Sequence, residues 1–326
     1  MKSATRKDSN ARVIVVGEPG PTRSRERGAR YAAFERAEHV AFVDELREDA
    51  ALSPRDVVVV RSSAAAAPTR AIELLASLPA AARPRVVVAG EVADGAFKTL
   101  IEHHEVAHVM AWRDEAAELD LLVTLEKLIS NDLFGMGRYF PDGGDPQRFV
   151  CSSASEREQL LDWLRVYAAE HRVRSRLIDV LTVAADEMLT NALYNAPTDG
   201  AGNHPFAQVS RQVAVSLEKP AVVEVELRCD GQRLGISTVD PYGSLRPEVV
   251  LGSLRRCFRK AEPRPGSTGG AGLGLYLLLG SLSHLVFNVA LGKRTEVIGL
   301  MDITSNLGRA AAAGKSFNIF VESAEG

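Results

Sequence analysis

The chain has 326 residues, enough for two domains of ordinary size, and its 46% hydrophobic and 25% charged residues are normal for a globular protein. Its formal net charge of −3 argues against a general polyanion-binding surface, and no basic run interleaved with aromatic residues indicates nucleic acid. No apolar run reaches the ~18 residues that span a bilayer, the polar first ten residues lack a signal-peptide core, and three scattered cysteines fit a reduced, cytoplasmic protein.

Apolar runs alternate with helix-like segments through the first 130 residues. The runs predicted as strands are 12–16, 39–43, 56–60, 85–88 and 107–111, and the segments predicted as helices are 27–38, 69–78 and 119–129. Short, wholly apolar strands that alternate with helices predict a parallel sheet covered on both faces. We therefore expect residues 1–130 to form an α/β domain.

Turn-forming residues interrupt this alternation at 131–150, where glycines, aspartates and two prolines predict a linker or a long loop. Residues 151–326 have a different pattern. Helices are predicted from Ser152 or Ser153, over 175–196 and within 246–285, and strands over 209–217, 222–228, 234–239 and from 317. Asp230-Gly231 predicts a hairpin turn. The second domain is therefore expected to be α+β, with helices first and an antiparallel sheet after them.

The helix that begins near Ser175 carries three stripes at helical spacing. The apolar stripe is Leu181, Ala185, Met188, Leu189 and Ala192, and the stripe expected opposite it, on the solvent side, is Asp179, Thr182, Asp186 and Thr190. Glu187, Asn191 and Asn195 stack at i, i+4 and i+8 along the border between them. A carboxylate that can orient a water, one turn before an amide oxygen that can ligate Mg²⁺, suits the handling of a nucleotide phosphate. The alternative is a helix with a plain polar border.

Three further motifs follow this helix in order. Asp240 ends an apolar run, a glycine cluster at 269–274 opens into a helix, and a strand-like run begins at Gly314-Lys315-Ser316-Phe317. With the helix stripe, this order resembles the GHKL ATPase superfamily, which includes histidine-kinase ATPase domains, gyrase-type ATPases and anti-sigma-factor serine kinases. The resemblance covers residues 152–322. It implies an α+β GHKL sandwich of the Bergerat type that binds ATP and Mg²⁺.

The resemblance implies a role for each residue of the helix stripe. Glu187 corresponds to the general base or water-positioning carboxylate, and Asn191 to the Mg²⁺ ligand. Asn195 corresponds to a helper on the phosphate side, and its alternative role is to end the helix before Pro197.

Asp240 and Gly243 resemble a divergent first glycine box. By that resemblance Asp240 accepts a hydrogen bond from the adenine amine; the alternative is a turn aspartate before Pro241. The family pattern has glycines where this chain has Tyr242 and Ser244. We therefore expect a reshaped adenine pocket, in which Tyr242 stacks on the base or occludes it.

The glycine cluster and the last strand complete the implied site. Gly270, Gly272 and Gly274 match the second glycine box, where backbone N–H groups approach phosphate and a helix directs its N-terminus at the anion. Ser316 matches the closing Gly-x-Ser/Thr-x-Phe strand. The cationic residues before the cluster are expected in an ATP lid or on a solvated helix face: Arg255, Arg256, Arg259 and Lys260. Rossmann and P-loop interpretations fail on spacing and on the element that follows.

The first 130 residues resemble a response-regulator receiver domain, which is flavodoxin-like, without its chemistry. Glu18 is the one carboxylate after the first strand, the phosphate-accepting position falls near Arg61, Ala89-Gly90 replaces a hydroxyl, and Trp112-Arg113 replaces a lysine. A guanidinium cannot accept a phosphoryl group. We therefore expect a pseudo-receiver that docks or dimerises; a generic flavodoxin-like domain predicts the same fold.

None of the seven histidines lies in the His-Glu/Asp-x-Arg setting typical of a histidine-kinase phosphoacceptor: His103 and His104 are in the receiver-like domain, and His171 lacks the acidic neighbour. The chain resembles the anti-sigma-factor type most. This implies a cytoplasmic bacterial signalling protein that binds Mg·ATP and phosphorylates a serine or threonine of a partner protein, such as an anti-sigma antagonist-like protein; analogy also suggests a homodimer. Two alternatives stay open: a nucleotide-gated binding module without transfer, and a degenerate two-domain scaffold.

Overall fold

The computed structural model describes residues 12–16, 40–43, 52–62, 69–77, 85–90, 94–111, 115–199, 201–209, 213, 215–217, 221–260, 273–304 and 315–323. The chain divides into two compact units between Asp132 and Leu133. Within the described ranges no helix is long and apolar enough to cross a bilayer. The helix expected over 27–38 lies outside them.

The first unit is built on five parallel strands. They are β1 (Val13–Val16), β2 (Val40–Val43), β3 (Val57–Ser62), β4 (Arg85–Gly90) and β5 (His108–Ala111), in the order β2-β1-β3-β4-β5. The helices described here are α1 (Thr69–Ser77), α2 (Asp94–His104) and α3 (Glu115–Ser130). Consecutive residues of β3 and β4 are buried, so both faces of this sheet are covered. The five predicted strands are confirmed.

Strands β3 and β4 are longer than their apolar runs. Arg61 does not follow β3 but pairs with Ala89 inside the sheet, and Ser62 pairs with Gly90. The positions that follow the carboxyl ends of the strands therefore fall in 17–39, 63–68, 91–93 and 112–114, outside the described residues. The pseudo-receiver interpretation stays a prediction.

The second unit contains a mixed sheet. Its described strands are β6 (Gln147–Cys151), β7 (Val223–Cys229), β8 (Arg233–Asp240), β9 (His284–Ala290), β10 (Arg294–Asp302) and β11 (Ser316–Val321). They pair in the order β11-β9-β10-β8-β7-β6, antiparallel except for the parallel pair β9 and β11. The hairpin predicted at Asp230-Gly231 joins β7 to β8, whereas β6, β9 and β10 were not predicted as strands.

Four α-helices pack in the part of this unit that the structure describes. They are α4 (Ala154–Glu170), α5 (Ser175–Thr190), α6 (Pro247–Lys260) and α7 (Leu273–Ser281), and a π-helix at Asn191–Asn195 continues α5. Helix α4 begins after Ser153, whose Oγ accepts the Glu156 N–H at 3.3 Å, as the predicted N-cap requires.

Helix α5 is buried on more sides than its periodicity predicts. Thr182 and Thr190, expected on the solvent side, are 6% and 1% exposed. Helix α4 covers that side, where Arg157 donates to the Thr190 hydroxyl at 2.8 Å. The prediction is wrong for these two threonines, although Asp179 of the same stripe is exposed, because the spacing within one helix cannot show that another helix packs on its polar residues.

Residues 133–151, mostly within the predicted linker, pack onto β8. A 3₁₀ turn at Met136–Tyr139 precedes β6, and Met136 and Phe140 are 2% and 3% exposed. Both side chains lie over Gly235, where an added Cβ would come within 2.7 Å of the Met136 Sδ and 2.8 Å of the Phe140 Cζ.

A buried carboxylate fixes this segment to the sheet. Glu296 of β10 is 3% exposed and accepts three hydrogen bonds: from the Gly135 N–H at 2.9 Å, the Ser237 Oγ at 3.0 Å and the Asn288 Nδ2 at 2.8 Å. The segment, β8, β9 and β10 therefore meet at one carboxyl group.

The strand predicted over 209–217 is wrong. Among the residues described there, Ser216 forms a single bridge, with Ser153, and the rest are not in a strand. The apolar alternation of this stretch instead supplies isolated contacts, since Val215 and Leu217 are buried while Val213 is 53% exposed.

Candidate functional site

A cavity of about 750 Å³ lies in the second unit, between one face of the sheet and the helices α5, α6 and α7 with the π-helix. The sheet contributes Thr238, Asp240, Phe287, Thr295 and Val297, and the segment 196–209 contributes a further wall. Five residues proposed from sequence line it: Glu187, Asn191, Asn195, Asp240 and Gly274.

Asp240 ends β8 inside the cavity and is 5% exposed. Its Oδ1 accepts the Tyr242 N–H at 2.9 Å and the Gly243 N–H at 3.4 Å. Burial raises the pKa of this carboxyl group to about 6, because desolvation of the charge outweighs the hydrogen bonds that favour it. Above that pH the site presents a desolvated carboxylate, which a ligand N–H group can satisfy.

Thr295 of β10 pairs with Asp240 in the antiparallel register and is 2% exposed. Its hydroxyl lies close enough to the Asp240 carboxyl group to favour ionisation of that group. Beyond this interaction with Asp240, the hydroxyl has no hydrogen-bond partner among the described residues. Thr295 lines the cavity, so its hydroxyl can also contact a ligand there.

Gly243 shapes the wall beside Asp240. Its φ of +58° lies in the left-handed region, and an added Cβ would overlap the Ala290 carbonyl oxygen and come within 2.6 Å of the Lys293 nitrogen. Only glycine fits this close approach. Tyr242 is half-buried and is not among the cavity-lining residues, so the expected stacking on a base is not supported.

Glu187 and Gly274 meet at the other side of the cavity. Gly274 is in the first turn of α7, and an added Cβ there would overlap the Glu187 carboxylate. The absence of a side chain at residue 274 thus lets the carboxylate of α5 reach the N-terminal end of α7. Backbone N–H groups at such an end favour anions, so the contact places an acid beside an anion-binding position.

Asn191 and Asn195 occupy the π-helix rather than an α-helix. The Asn195 Nδ2 donates to the Asn191 Oδ1 at 2.7 Å, and the Ala196 N–H donates to the Asn191 carbonyl at 2.9 Å. The two amides therefore remain neighbours, as the i, i+4 spacing predicts. The π-helix itself was missed because no residue in this stretch signals the wider turn, although such turns often mark functional sites.

Ser316 lies away from the cavity. It pairs with His284 at one end of β9, whereas Thr295 pairs with Val289 near the other end. Side chains alternate along a strand, so Ser316 and Ile319, the partner of cavity-lining Phe287, face opposite sides of the sheet. The structure therefore does not bring Ser316 to the site. Gly270 and Gly272 lie outside the described residues.

Sequence reasoning missed several polar residues that reach the cavity. Arg246, just before α6, and Ser253 on α6 were not predicted there, although Ser253 and Arg256 lie three residues apart on the same side of the helix. His204 lies on a loop and Thr295 depends on strand pairing, so neither carries a local signal. Arg256 was expected in the lid, and it lines the cavity while donating to the Ser253 Oγ at 2.8 Å.

No protein-family model matches this chain, and no curated protein matches it in a sequence search. The site offers a buried acceptor with a hydroxyl beside it, a carboxylate at a helix N-terminus, paired amides and two arginines at the cavity wall. Such an arrangement can recognise a ligand with an N–H-bearing ring at one end and phosphates at the other.

Proposed function

We propose that this cavity binds Mg·ATP in the manner of the GHKL ATPases. The protein is then a cytoplasmic signalling protein that transfers the γ-phosphate to a serine or threonine of a partner protein. The observation that carries the proposal is the meeting of Glu187, Asn191, Asp240 and Gly274 around one cavity, although they come from separate parts of the chain.

Asp240 and Thr295 support the adenine end of the proposal. A buried carboxylate can accept a hydrogen bond from the exocyclic amine of adenine, and the neighbouring Thr295 hydroxyl can bond to a ring nitrogen. Guanine presents a carbonyl oxygen at the corresponding position, which a carboxylate repels. With a pKa of about 6, Asp240 is ionised and accepting at neutral pH.

Glu187, Asn191 and Gly274 support the phosphate end. The Asn191 amide oxygen would ligate Mg²⁺, and that ion would neutralise phosphate charge and orient the phosphate oxygens. Glu187 would accept the proton of an attacking hydroxyl group. The first turn of α7 offers N–H groups to an anion, and the missing side chain at Gly274 leaves room for the Glu187 carboxylate beside that turn.

Arginines on α6 support a polyphosphate ligand as well. Arg256 and Arg246, just before α6, line the cavity from the side opposite α5. Both side chains are exposed, so their guanidinium groups stay solvated while no ligand is bound. When a nucleotide binds, both groups can donate hydrogen bonds to its phosphate oxygens.

Calorimetric titration of the full chain with ATP in excess Mg²⁺ tests the proposal. We expect micromolar binding that weakens strongly in Asp240→Asn, which replaces an anionic acceptor by an amide, and in Asn191→Ala, which removes the metal ligand. Asp162→Asn is the matched control, because this α4 carboxylate is 79% exposed and remote from the cavity lining. Failure of the parent protein to bind ATP would overturn the proposal.

Binding without transfer is a second candidate function. It is favoured by the hydrogen bond from Asn195, which already engages the Asn191 Oδ1 needed for a metal ion. Phosphate release from ATP without a partner protein, in which water takes the place of the acceptor hydroxyl group, separates a catalytic site from a site that only binds ATP. A parent rate that falls by about 10²-fold or more in Glu187→Gln supports transfer, because general-base catalysis has that magnitude. Equal rates in parent and variant, with ATP binding intact, support a nucleotide-gated module.

A further inference from the structure

We infer that Arg157 of α4 is a positioning residue for the proposed Mg²⁺ ligand. It fixes the point at which α5 changes to π-helical spacing, and this sets the direction in which Asn191 presents its amide. The functional consequence rests on the proposed function, whereas the effect on the helix does not.

Arg157 reaches two successive turns of α5. Its Nη1 donates to the Thr190 Oγ1 at 2.8 Å and lies 3.1 Å from the Asp186 Oδ1. The Arg157 side chain is 14% exposed and Thr190 is 1% exposed, so water competes little for the hydrogen bond between them, whereas the Asp186 side chain is 40% exposed. Asp186 precedes Glu187 and Thr190 precedes Asn191, and one guanidinium therefore holds the backbone beside both proposed functional residues.

The helical spacing changes directly after this contact. Helix α5 ends at Thr190, and the Asn191 carbonyl accepts from the Ala196 N–H, five residues on, at 2.9 Å. A wider turn can begin at any of several positions along a helix unless a side-chain contact selects one. If it began one residue earlier, the side chain of Asn191 would rotate relative to the cavity.

Stability alone does not account for this arginine. The Arg157 Nε is buried without a hydrogen-bond partner in the described part of the chain. An incompletely paired buried cation contributes little net stability, and it persists where it specifies one geometry over its alternatives. A planar guanidinium can also contact two turns at once, which the point charge of a lysine does poorly.

Hydrogen exchange of the full chain without nucleotide tests the effect on the helix. We expect Arg157→Met to speed exchange of the Ala196 amide, and Thr190→Val, which keeps the shape but removes the acceptor, to do the same. Arg165→Met is the matched control on the same helix, because Arg165 pairs with Asp162 at 2.6 Å on the surface. Parent-like exchange at Ala196 in both test variants would overturn the inference.

Titration with ATP tests the consequence for the metal. In excess Mg²⁺ we expect Arg157→Met to bind ATP about tenfold more weakly than the parent, the usual loss when a residue supporting a metal ligand is removed. In EDTA both should bind equally, and Arg157→Lys should recover part of the loss. Equal weakening in Mg²⁺ and in EDTA would instead show a general structural role and contradict the inference.

The two measurements also separate this inference from the proposed function. A parent protein that does not bind ATP overturns the proposed function, yet the exchange rate at Ala196 still decides whether Arg157 fixes the turn. If Arg157→Met fails to fold, Thr190→Val carries both tests, because it removes one hydrogen bond and leaves the guanidinium in place.

Discussion

Asp240 is a carboxyl group whose protonation should be visible in the stability of the unligated protein. Its pKa is raised from 3.8 to about 6 by burial, so the folded state binds this proton more tightly than the unfolded state does. The stabilisation by the protonated group is complete below pH 3.8 and is lost as the pH rises through about 6. The total is on the order of 3 kcal/mol, taking 1.36 kcal/mol per pKa unit.

This leads to a prediction for Asp240→Asn. Between pH 5 and pH 8 the free energy of unfolding of the parent should fall relative to that of the variant, because the amide stays neutral throughout. Urea unfolding at several pH values measures the difference. A difference that stays constant across this range would show that Asp240 titrates normally.

Some of the site residues could be found from the sequence and others could not. The stripe of Glu187 and Asn191 was found because helical spacing is local information. Thr295 was missed because its place beside Asp240 depends on the pairing of two strands separated along the chain. Ser316 was assigned to the site from a short motif, and the alternation of side chains along β11 puts it on the other face.

At the scale of elements, the contact of residues 133–140 with β8 depends on a glycine. We predict that Gly235→Ala destabilises the protein by about 1–3 kcal/mol, the usual cost of overpacking, because the added methyl group collides with Met136 and Phe140. Urea unfolding measures the change in the free energy of unfolding.

Gly280→Ala is the matched control for this change. Gly280 lies in α7, where an added Cβ meets nothing within 4 Å, so alanine should be neutral or stabilising by about 0.5–1 kcal/mol. If the two alanine variants were equally stable, the packing of this segment onto β8 would be contradicted.

The elements differ in how far their sequences reveal them. Strands β3 and β4 were evident because their apolar runs contain consecutive buried residues, Val57–Val60 in β3 and Val87 and Val88 in β4. Strand β6 was missed because Gln147–Cys151 is largely exposed and has Cys151 as its one fully buried residue. This segment is a strand because it pairs with β7, and its composition does not indicate that pairing.

At the scale of the whole molecule, the rates at which the three cysteines are modified measure how readily the second unit unfolds. Burial raises the pKa of Cys151 to about 11 and also raises that of Cys229, whereas Cys257 is only partly buried. We predict that a thiol reagent at pH 8 modifies Cys257 rapidly and the other two only as the fold opens, because the thiolate is the reactive form.

Time courses with and without urea measure these reactivities. All three thiols should react rapidly in urea, and Cys257→Ser should remove the fast phase of the native protein. Two fast thiols in the folded protein would mean that the β6–β7 side of the sheet opens easily, contrary to the burial of Cys151 and Cys229.

Side chains of β10 alternate between the two faces of the sheet, and the register of the strand decides which residue faces the cavity. Thr295 faces the cavity and Glu296 faces the opposite side, where its carboxylate accepts three hydrogen bonds. One residue added to or deleted from the turn at 291–293 would exchange these two faces. Thr295 would then face the three hydrogen-bond donors, and they would lose the Glu296 carboxylate as their acceptor. Over evolution we therefore expect the number of residues in this turn to be kept.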